Sequence, residues 1–316
     1  MAAIVVVTPT WPSDAWVEAM RKVATHLDVR QWPDKMGDLA GIDYAAVWLP
    51  PANFLKSLPN LKAIFSFGAG VDAILADPTL PDGVPIVRVN DADLTGRMTE
   101  YIVLHVLMHH RQQRRLDGNQ RHKTWDSFVT HAASALSVGI MGMGVMGRNS
   151  AEVLHRLGFR VAGWSRTKKN LPGIDSYAGA SQFDAFLGRT DILVSLLPAT
   201  AETDGIINRE TIRKLSRKGP LGAPVVINAG RGRQQAAADI LAALDAGELL
   251  AATLDVFAAE PLPQDSPLWS HPKVTITPHS AADSDPEVIC AYVARQIARH
   301  QAGEALENLV DRSMGY

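Results

Sequence analysis

Three residues in this 316-residue chain, Arg231, Glu260 and His279, each stand just beyond a short apolar run. A guanidinium can hold a small carboxylate through two hydrogen bonds, and a histidine with a carboxylate partner can give and take a proton near neutral pH. Upstream of them lies Gly142-Met143-Gly144-Val145-Met146-Gly147. Glycine at those spacings lets a backbone turn tightly, approach a pyrophosphate closely and bring a helix down onto its strand. The chemistry suggested is proton movement at a small carboxylate beside a bound dinucleotide.

Such residues need a scaffold. The glycine motif follows an apolar run at 138–141 and opens a helical stretch that reaches Leu157, with Gly158 as its stop. A helix beginning there presents free amides and its positive dipole end to phosphate. Further strands are expected at 160–165, 192–196, 225–228, 251–255 and 274–276. Arg231, Glu260 and His279 then follow the carboxyl ends of strands in one doubly wound unit of the Rossmann kind. The first third of the chain alternates apolar runs at 4–7, 45–49, 63–67 and 86–89 with a helix near 14–26, the pattern of a second parallel α/β unit. The stretch 98–111, with Tyr101, Ile102, Leu104, Val106 and Leu107, is helical in period and bridges the two. Residues 117–135 are polar and punctuated and are expected to form a long loop. An amphipathic helix near 286–302 is expected to return to the first domain. The fold class is therefore α/β, with two doubly wound parallel-sheet domains.

Cofactor preference is read from the end of the second strand. A site for NAD(H) has an acidic residue about 20 positions after the glycines, where it accepts from the ribose hydroxyls. Here the segment reads Trp164-Ser165-Arg166-Thr167-Lys168-Lys169, and no aspartate or glutamate lies between Glu152 and Asp175. Ser165 and Thr167 can donate to a 2′-phosphate, while Arg166 and Lys168 neutralise it. NADP(H) is therefore preferred, with NAD(H) also accommodated. Met141, Met143 and Met146 read as packing side chains.

Composition narrows the alternatives. With 47% apolar and 20% charged residues the chain suits globular domains, and a formal charge of −2 without any basic block argues against nucleic-acid or membrane partners. The run at 4–7 has no basic segment before it and is too short to span a bilayer, so it reads as a first strand and the expected location is the cytoplasm. The single cysteine, Cys290, excludes an internal disulfide and reads as a small buried hydrophobe. His105 and His109 share a helix face at i, i+4 spacing, but no carboxylate or cysteine completes a set, so no metal is expected.

These motifs, taken in order, resemble the D-isomer-specific 2-hydroxyacid dehydrogenase family, and within it the bacterial glyoxylate/hydroxypyruvate reductase A group. The segments that carry the resemblance are Phe67-Gly68-Ala69-Gly70-Val71-Asp72, Trp164-Ser165-Arg166-Thr167, Leu196-Leu197-Pro198, Asn228-Ala229-Gly230-Arg231-Gly232, Leu254-Asp255-Val256-Phe257, Glu260-Pro261-Leu262-Pro263, Ser266-Pro267-Leu268-Trp269 and Thr277-Pro278-His279-Ser280-Ala281-Ala282. They span nearly the whole chain.

The resemblance implies a flavodoxin-like substrate domain made of 1–98 plus 287–316, a Rossmann cofactor domain at 99–286, and reduction of a small 2-oxo acid in the cleft between them. It gives Arg231 the substrate's carboxylate and carbonyl oxygen. His279 becomes the proton donor, and Glu260 the partner that keeps the imidazolium available. Substrate contacts also fall to the backbone of Ala69 and Gly70, and to Trp48 as an aromatic pocket wall. Cofactor contacts fall to residues 142–147, to Ser165, Arg166, Thr167 and Lys168, and to Leu197, Pro198 and Ala229. Asp255 meets the nicotinamide carboxamide. A homodimer is implied, with 98–111 and the loop after it at the interface and Trp125 reaching the neighbouring subunit's site. Two other readings fit the same motifs. One is a family dehydrogenase for a larger 2-hydroxy acid, against which stands the lack of a second basic patch. The other is a non-catalytic dinucleotide sensor, whose expected appended tail is not seen after Tyr316.

Overall fold

In the computed structural model, residues 1–283 and 285–315 are described. In chain order the elements are β1 (Ala3–Val7), α1 (Ser13–Val23), β2 (Asp28–Gln31), β3 (Ile42–Val47), β4 (Ala63–Ser66), α2 (Asp72–Leu75), β5 (Ile86–Arg88), α3 (Ala92–His110) and α4 (Gln113–Arg121). They continue with β6 (Ser137–Met141), α5 (Val145–Arg156), β7 (Arg160–Ser165), β8 (Asp175–Ala178), α6 (Phe183–Leu187), β9 (Ile192–Ser195), α7 (Arg209–Lys214), β10 (Val225–Asn228), α8 (Ala237–Asp245), β11 (Ala251–Leu254), β12 (Val274–Ile276) and α9 (Pro286–Gln301). The chain divides into two compact units, Met1–Leu94 with the C-terminal residues from 285 onward, and Thr95–Asp283.

The first unit holds a five-stranded parallel sheet in the order β2-β1-β3-β4-β5, a flavodoxin-like arrangement. Its interior strand β1, Ala-Ile-Val-Val-Val, is buried throughout, because a parallel sheet covered on both faces selects a continuous apolar run. Helix α9 packs on α1 in this unit, and the Cys290 thiol, buried and pushed up to about 12 by that burial, lies against the Trp16 carbonyl.

The second unit holds seven parallel strands ordered β12-β11-β10-β9-β6-β7-β8. Alternate residues go to opposite faces. Ile192, Val194, Val225 and Ile227 enter one apolar cluster, while Leu193, Val226 and Leu254 enter another. Strand order reverses at β6, flanked by β7 and β9, and a doubly wound sheet opens its ligand crevice at the carboxyl ends of such strands. The glycine motif follows β6 there.

Three elements depart from the sequence expectation. Part of the expected loop at 117–135 is the helix α4, which buries no residue and therefore lacks an apolar stripe to betray it. Its anchor is tertiary: Arg114 donates to the Pro272 carbonyl and to Thr275 Oγ1, each at 2.5 Å. Strands β2 and β8 were not expected either. Both are sheet edges of mixed polarity, Asp-Val-Arg-Gln and Asp-Ser-Tyr-Ala, and an edge strand needs no apolar run.

Candidate active site

The glycine motif forms a cradle after β6. Gly142 has φ +100°, a conformation that favours glycine, and a Cβ there would lie 2.6 Å from the Leu196 carbonyl oxygen. A Cβ on Gly147 would lie 1.9 Å from the Gly142 oxygen, so α5 can sit on the turn only without one. Gly144 differs, because a Cβ on it would meet nothing within 4 Å. That open space lies beside the first amides of the 12-residue α5, whose N-terminus carries no side-chain cap. The cradle thus fits a pyrophosphate. Met143 is buried against Gly163, and Met146 packs at the edge of the same core, as packing side chains do. At the end of β7, Ser165 Oγ donates to the Thr167 carbonyl at 2.8 Å and closes the turn that displays Arg166, Thr167 and Lys168 to solvent. The charge of Arg166 reaches Glu202, on the loop after β9.

Arg231 stands on a loop that side chains pin from beneath. Asn228, at the end of β10, donates to the Arg231 carbonyl at 3.2 Å and accepts from the Gly230 amide at 3.1 Å. Gln234, fully buried, accepts from Ser195 Oγ at 3.0 Å and from the Arg231 amide at 3.2 Å, and donates to the carbonyls of Leu197 and Pro198 at 2.8 and 3.0 Å. One amide therefore joins the Arg231 loop to the segment holding Leu197 and Pro198. Gln235 donates to the Val256 carbonyl at 2.8 Å, and a Cβ on Gly232 would lie 1.9 Å from the Phe257 carbonyl carbon. These contacts press the arginine loop against the segment that leads to Glu260.

Glu260 and His279 meet directly. Glu260 Oε2 lies 2.7 Å from His279 Nδ1, and Oε1 accepts from the Phe257 amide at 2.8 Å. Burial raises the Glu260 carboxyl, but the hydrogen bonds from His279 and Phe257 and the nearby charges of His279 and Arg231 outweigh it and hold the group below its ordinary range. His279 has φ +55°, unusual for a non-glycine residue, and its amide is fixed by the carbonyls of Asp255 at 2.8 Å and Thr277 at 3.0 Å. The Asp255 side chain, almost fully buried, accepts from Thr277 Oγ1 at 2.6 Å and from the amides of Ser280 at 2.9 Å and Ala281 at 3.1 Å. Asp255 thus organises the His279 loop as an acid at the end of a strand that caps the following turn.

The remaining candidates fall elsewhere. In the first unit, Trp48 is half-buried, stacks on Trp11 with centroids 4.6 Å apart, and lies so close to Gly68 that a Cβ there would come within 2.4 Å of the ring. Ser66 Oγ donates to the Gly70 carbonyl at 3.1 Å and accepts from the Gly68 amide at 3.3 Å, which shapes the loop holding Ala69 and Gly70. Ala229 is buried after β10. His105 and His109 are interior: burial pulls them down to about 4 and about 3, His105 packs on the Tyr101 ring, and His109 Nε2 lies 2.9 Å from Thr253 Oγ1. Among the described residues no cluster of histidine, cysteine, aspartate or glutamate could hold a metal ion, and no helix is long and apolar enough to cross a membrane. Trp125 is 97% exposed on the segment after α4. Gln234, Gln235 and Thr277 escaped sequence reading, since only their tertiary contacts mark them.

Comparison with known proteins agrees with this geometry. The NAD binding domain of the D-isomer specific 2-hydroxyacid dehydrogenases matches residues 103–281. Glyoxylate/hydroxypyruvate reductase A of Salmonella paratyphi B is 44% identical over 313 residues, 98% of each chain. A crystal structure of an NADPH-dependent glyoxylate/hydroxypyruvate reductase from Sinorhizobium meliloti, in complex with NADP and sulfate, superposes with a TM-score of 0.96 at 44% identity over 100% of both chains. A protein described as a probable 2-hydroxyacid dehydrogenase from Rhizobium etli, solved with NADP, HEPES and L(+)-tartaric acid, gives 0.94 at 42% identity, again over 100% of both chains. With its cradle, arginine loop and carboxylate–histidine pair in one Rossmann unit, the chain belongs to the D-isomer-specific 2-hydroxyacid dehydrogenase family.

Proposed function

We propose that this chain catalyses the NADPH-dependent reduction of a small 2-oxo acid, glyoxylate to glycolate and hydroxypyruvate to D-glycerate. The observation that carries the reading is the 2.7 Å contact between Glu260 and His279, with the charge of Arg231 reaching the same carboxylate. Arg231 holds the substrate carboxylate and orients its carbonyl through a planar fork. With Nδ1 engaged by Glu260, His279 delivers its proton from Nε2 to the carbonyl oxygen. Bound NADPH would supply the hydride that the carbonyl carbon takes up. Glu260 stabilises the imidazolium before transfer, and the fixed backbone around His279 holds the donor in place.

The open space at Gly144 and the basic turn Arg166-Thr167-Lys168 support NADP(H) as the preferred cofactor, held also by Leu197, Pro198 and Ala229. The NADP complexes of the Sinorhizobium and Rhizobium relatives support the same choice. We assign the substrate's remaining contacts to Trp48, Ala69 and Gly70 of the first unit. The assembly proposed is a homodimer in the cytoplasm, for which exposed Trp125 and Val129 after α4 offer an apolar surface.

The test is the initial rate of NADPH oxidation with glyoxylate, hydroxypyruvate, pyruvate and a branched 2-oxo acid, repeated with NADH. A strong signal with NADPH and the two small acids is expected. Activity confined to bulky acids would discard the small pocket, and no activity with any acid would move the weight to a dinucleotide sensor.

A further inference from the structure

Behind Asp255 runs a chain of hydroxyls that the reaction does not use directly. Thr277 Oγ1 donates to Asp255 Oδ1 at 2.6 Å, so its single proton is committed to the carboxylate. Tyr101, on α3, has its hydroxyl 2.8 Å from the same Oγ1. Because the threonine proton points to Asp255, the tyrosine must be the donor, and the chain runs one way, from Tyr101 through Thr277 to Asp255. Tyr101 is suited to that part. Its ring is 9% exposed, packs against His105 at 4.3 Å and lies in the apolar cluster with Met98 and Ile102, so its hydroxyl has little freedom to point elsewhere.

Thr277 also sits inside the backbone that makes the proton donor. Its amide donates to the Leu254 carbonyl at 3.1 Å, and its own carbonyl accepts from the His279 amide at 3.0 Å. The side chain reaches Asp255 and the main chain reaches His279, so one residue ties the carboxylate that holds the Ser280 and Ala281 amides to the turn at His279. Resting on the proposed reductase reading, we infer that Tyr101 is a positioning residue for the proton donor. Through Thr277 it orients the Asp255 carboxylate, and that carboxylate holds the amides of Ser280 and Ala281 and hence the placement of the His279 imidazole.

The variants Tyr101→Phe, Thr277→Val, Thr277→Ser and the double variant Tyr101→Phe/Thr277→Val test this in the full-length protein. Tyr101→Phe keeps the ring and is expected to lower kcat for glyoxylate roughly tenfold, with KM within about twofold, because proton placement is lost while the carboxylate contact at Arg231 remains. Thr277→Val should lose at least as much, and Thr277→Ser should recover most of that rate. The double variant should be no slower than Thr277→Val, since both changes cut one chain. Amide exchange of the 277–281 segment supplies a readout that needs no turnover, and it should run about tenfold faster in Tyr101→Phe than in the parent protein. Unchanged kcat and exchange in Tyr101→Phe, or losses that multiply in the double variant, overturn the inference while leaving the reductase reading intact. An inactive parent protein overturns the reductase reading, and the exchange rates then still decide whether Tyr101 holds the loop.

Discussion

Glu260 and His279 lie 19 residues apart in sequence and meet in a single 2.7 Å hydrogen bond, with the other glutamate oxygen tied to the Phe257 amide. The pairing is asymmetric. The backbone amide fixes where the carboxylate is, and only then can that carboxylate fix the ring. A glutamate so placed stays ionised below its ordinary range.

The pH dependence follows from that sign. A carboxyl held low stays ionised where an ordinary one does not, so reduction should persist down to about pH 4, where an ordinary glutamate is already more than half protonated. Glu260→Gln removes the carboxylate that holds the ring, so its rate at neutral pH should fall by at least about 100-fold, and the acid limb set by this carboxyl should disappear. A pH series of kcat for both proteins checks this.

Gly144→Ala separates folding from cofactor binding. Its backbone at φ −72° suits alanine, and the added Cβ meets nothing within 4 Å, so the melting temperature should hold within a few degrees. The same Cβ enters the space where a pyrophosphate must approach, so NADPH binding followed by fluorescence should weaken at least about tenfold.

Arg166→Ala should discriminate between cofactors. A charge-assisted contact to a phosphate contributes about 1.5–3 kcal/mol, so the NADPH dissociation constant should rise roughly 10- to 100-fold. NADH, which lacks the 2′-phosphate, should bind within about twofold of its original affinity.

Gln234→Leu should cost both stability and function. The change strands the buried Ser195 hydroxyl and the Leu197 carbonyl, each a partner of the lost amide, at about 1–3 kcal/mol per orphaned group. Denaturant unfolding reads that loss. The KM for the 2-oxo acid should rise as well, because the same amide holds the Arg231 backbone.

Much of this architecture was legible in the sequence, for reasons that also explain what was not. Interior strands such as β1 and β10 are buried on both faces and announce themselves as apolar runs, and the cradle glycines are forced by close backbone approach. The edge strands β2 and β8, and the helix α4, which buries no residue, lack that signature, since burial did not choose their residues. Within the site, Arg231, Glu260 and His279 stood out by type and by resemblance. Gln234 and Thr277 did not, because a buried glutamine or threonine becomes informative only when its partners are seen, and Tyr101 read simply as one more apolar position on a helix.

The most direct measurement is turnover and NADPH binding of His279→Asn, side by side with the parent protein. Asparagine tolerates the left-handed backbone at this position, so the loop can keep its shape, but it has no proton to give at neutral pH. The account predicts that glyoxylate reduction falls by at least about 100-fold while the NADPH dissociation constant stays within about threefold. Turnover that survives the substitution would contradict the assignment of His279 as the proton donor.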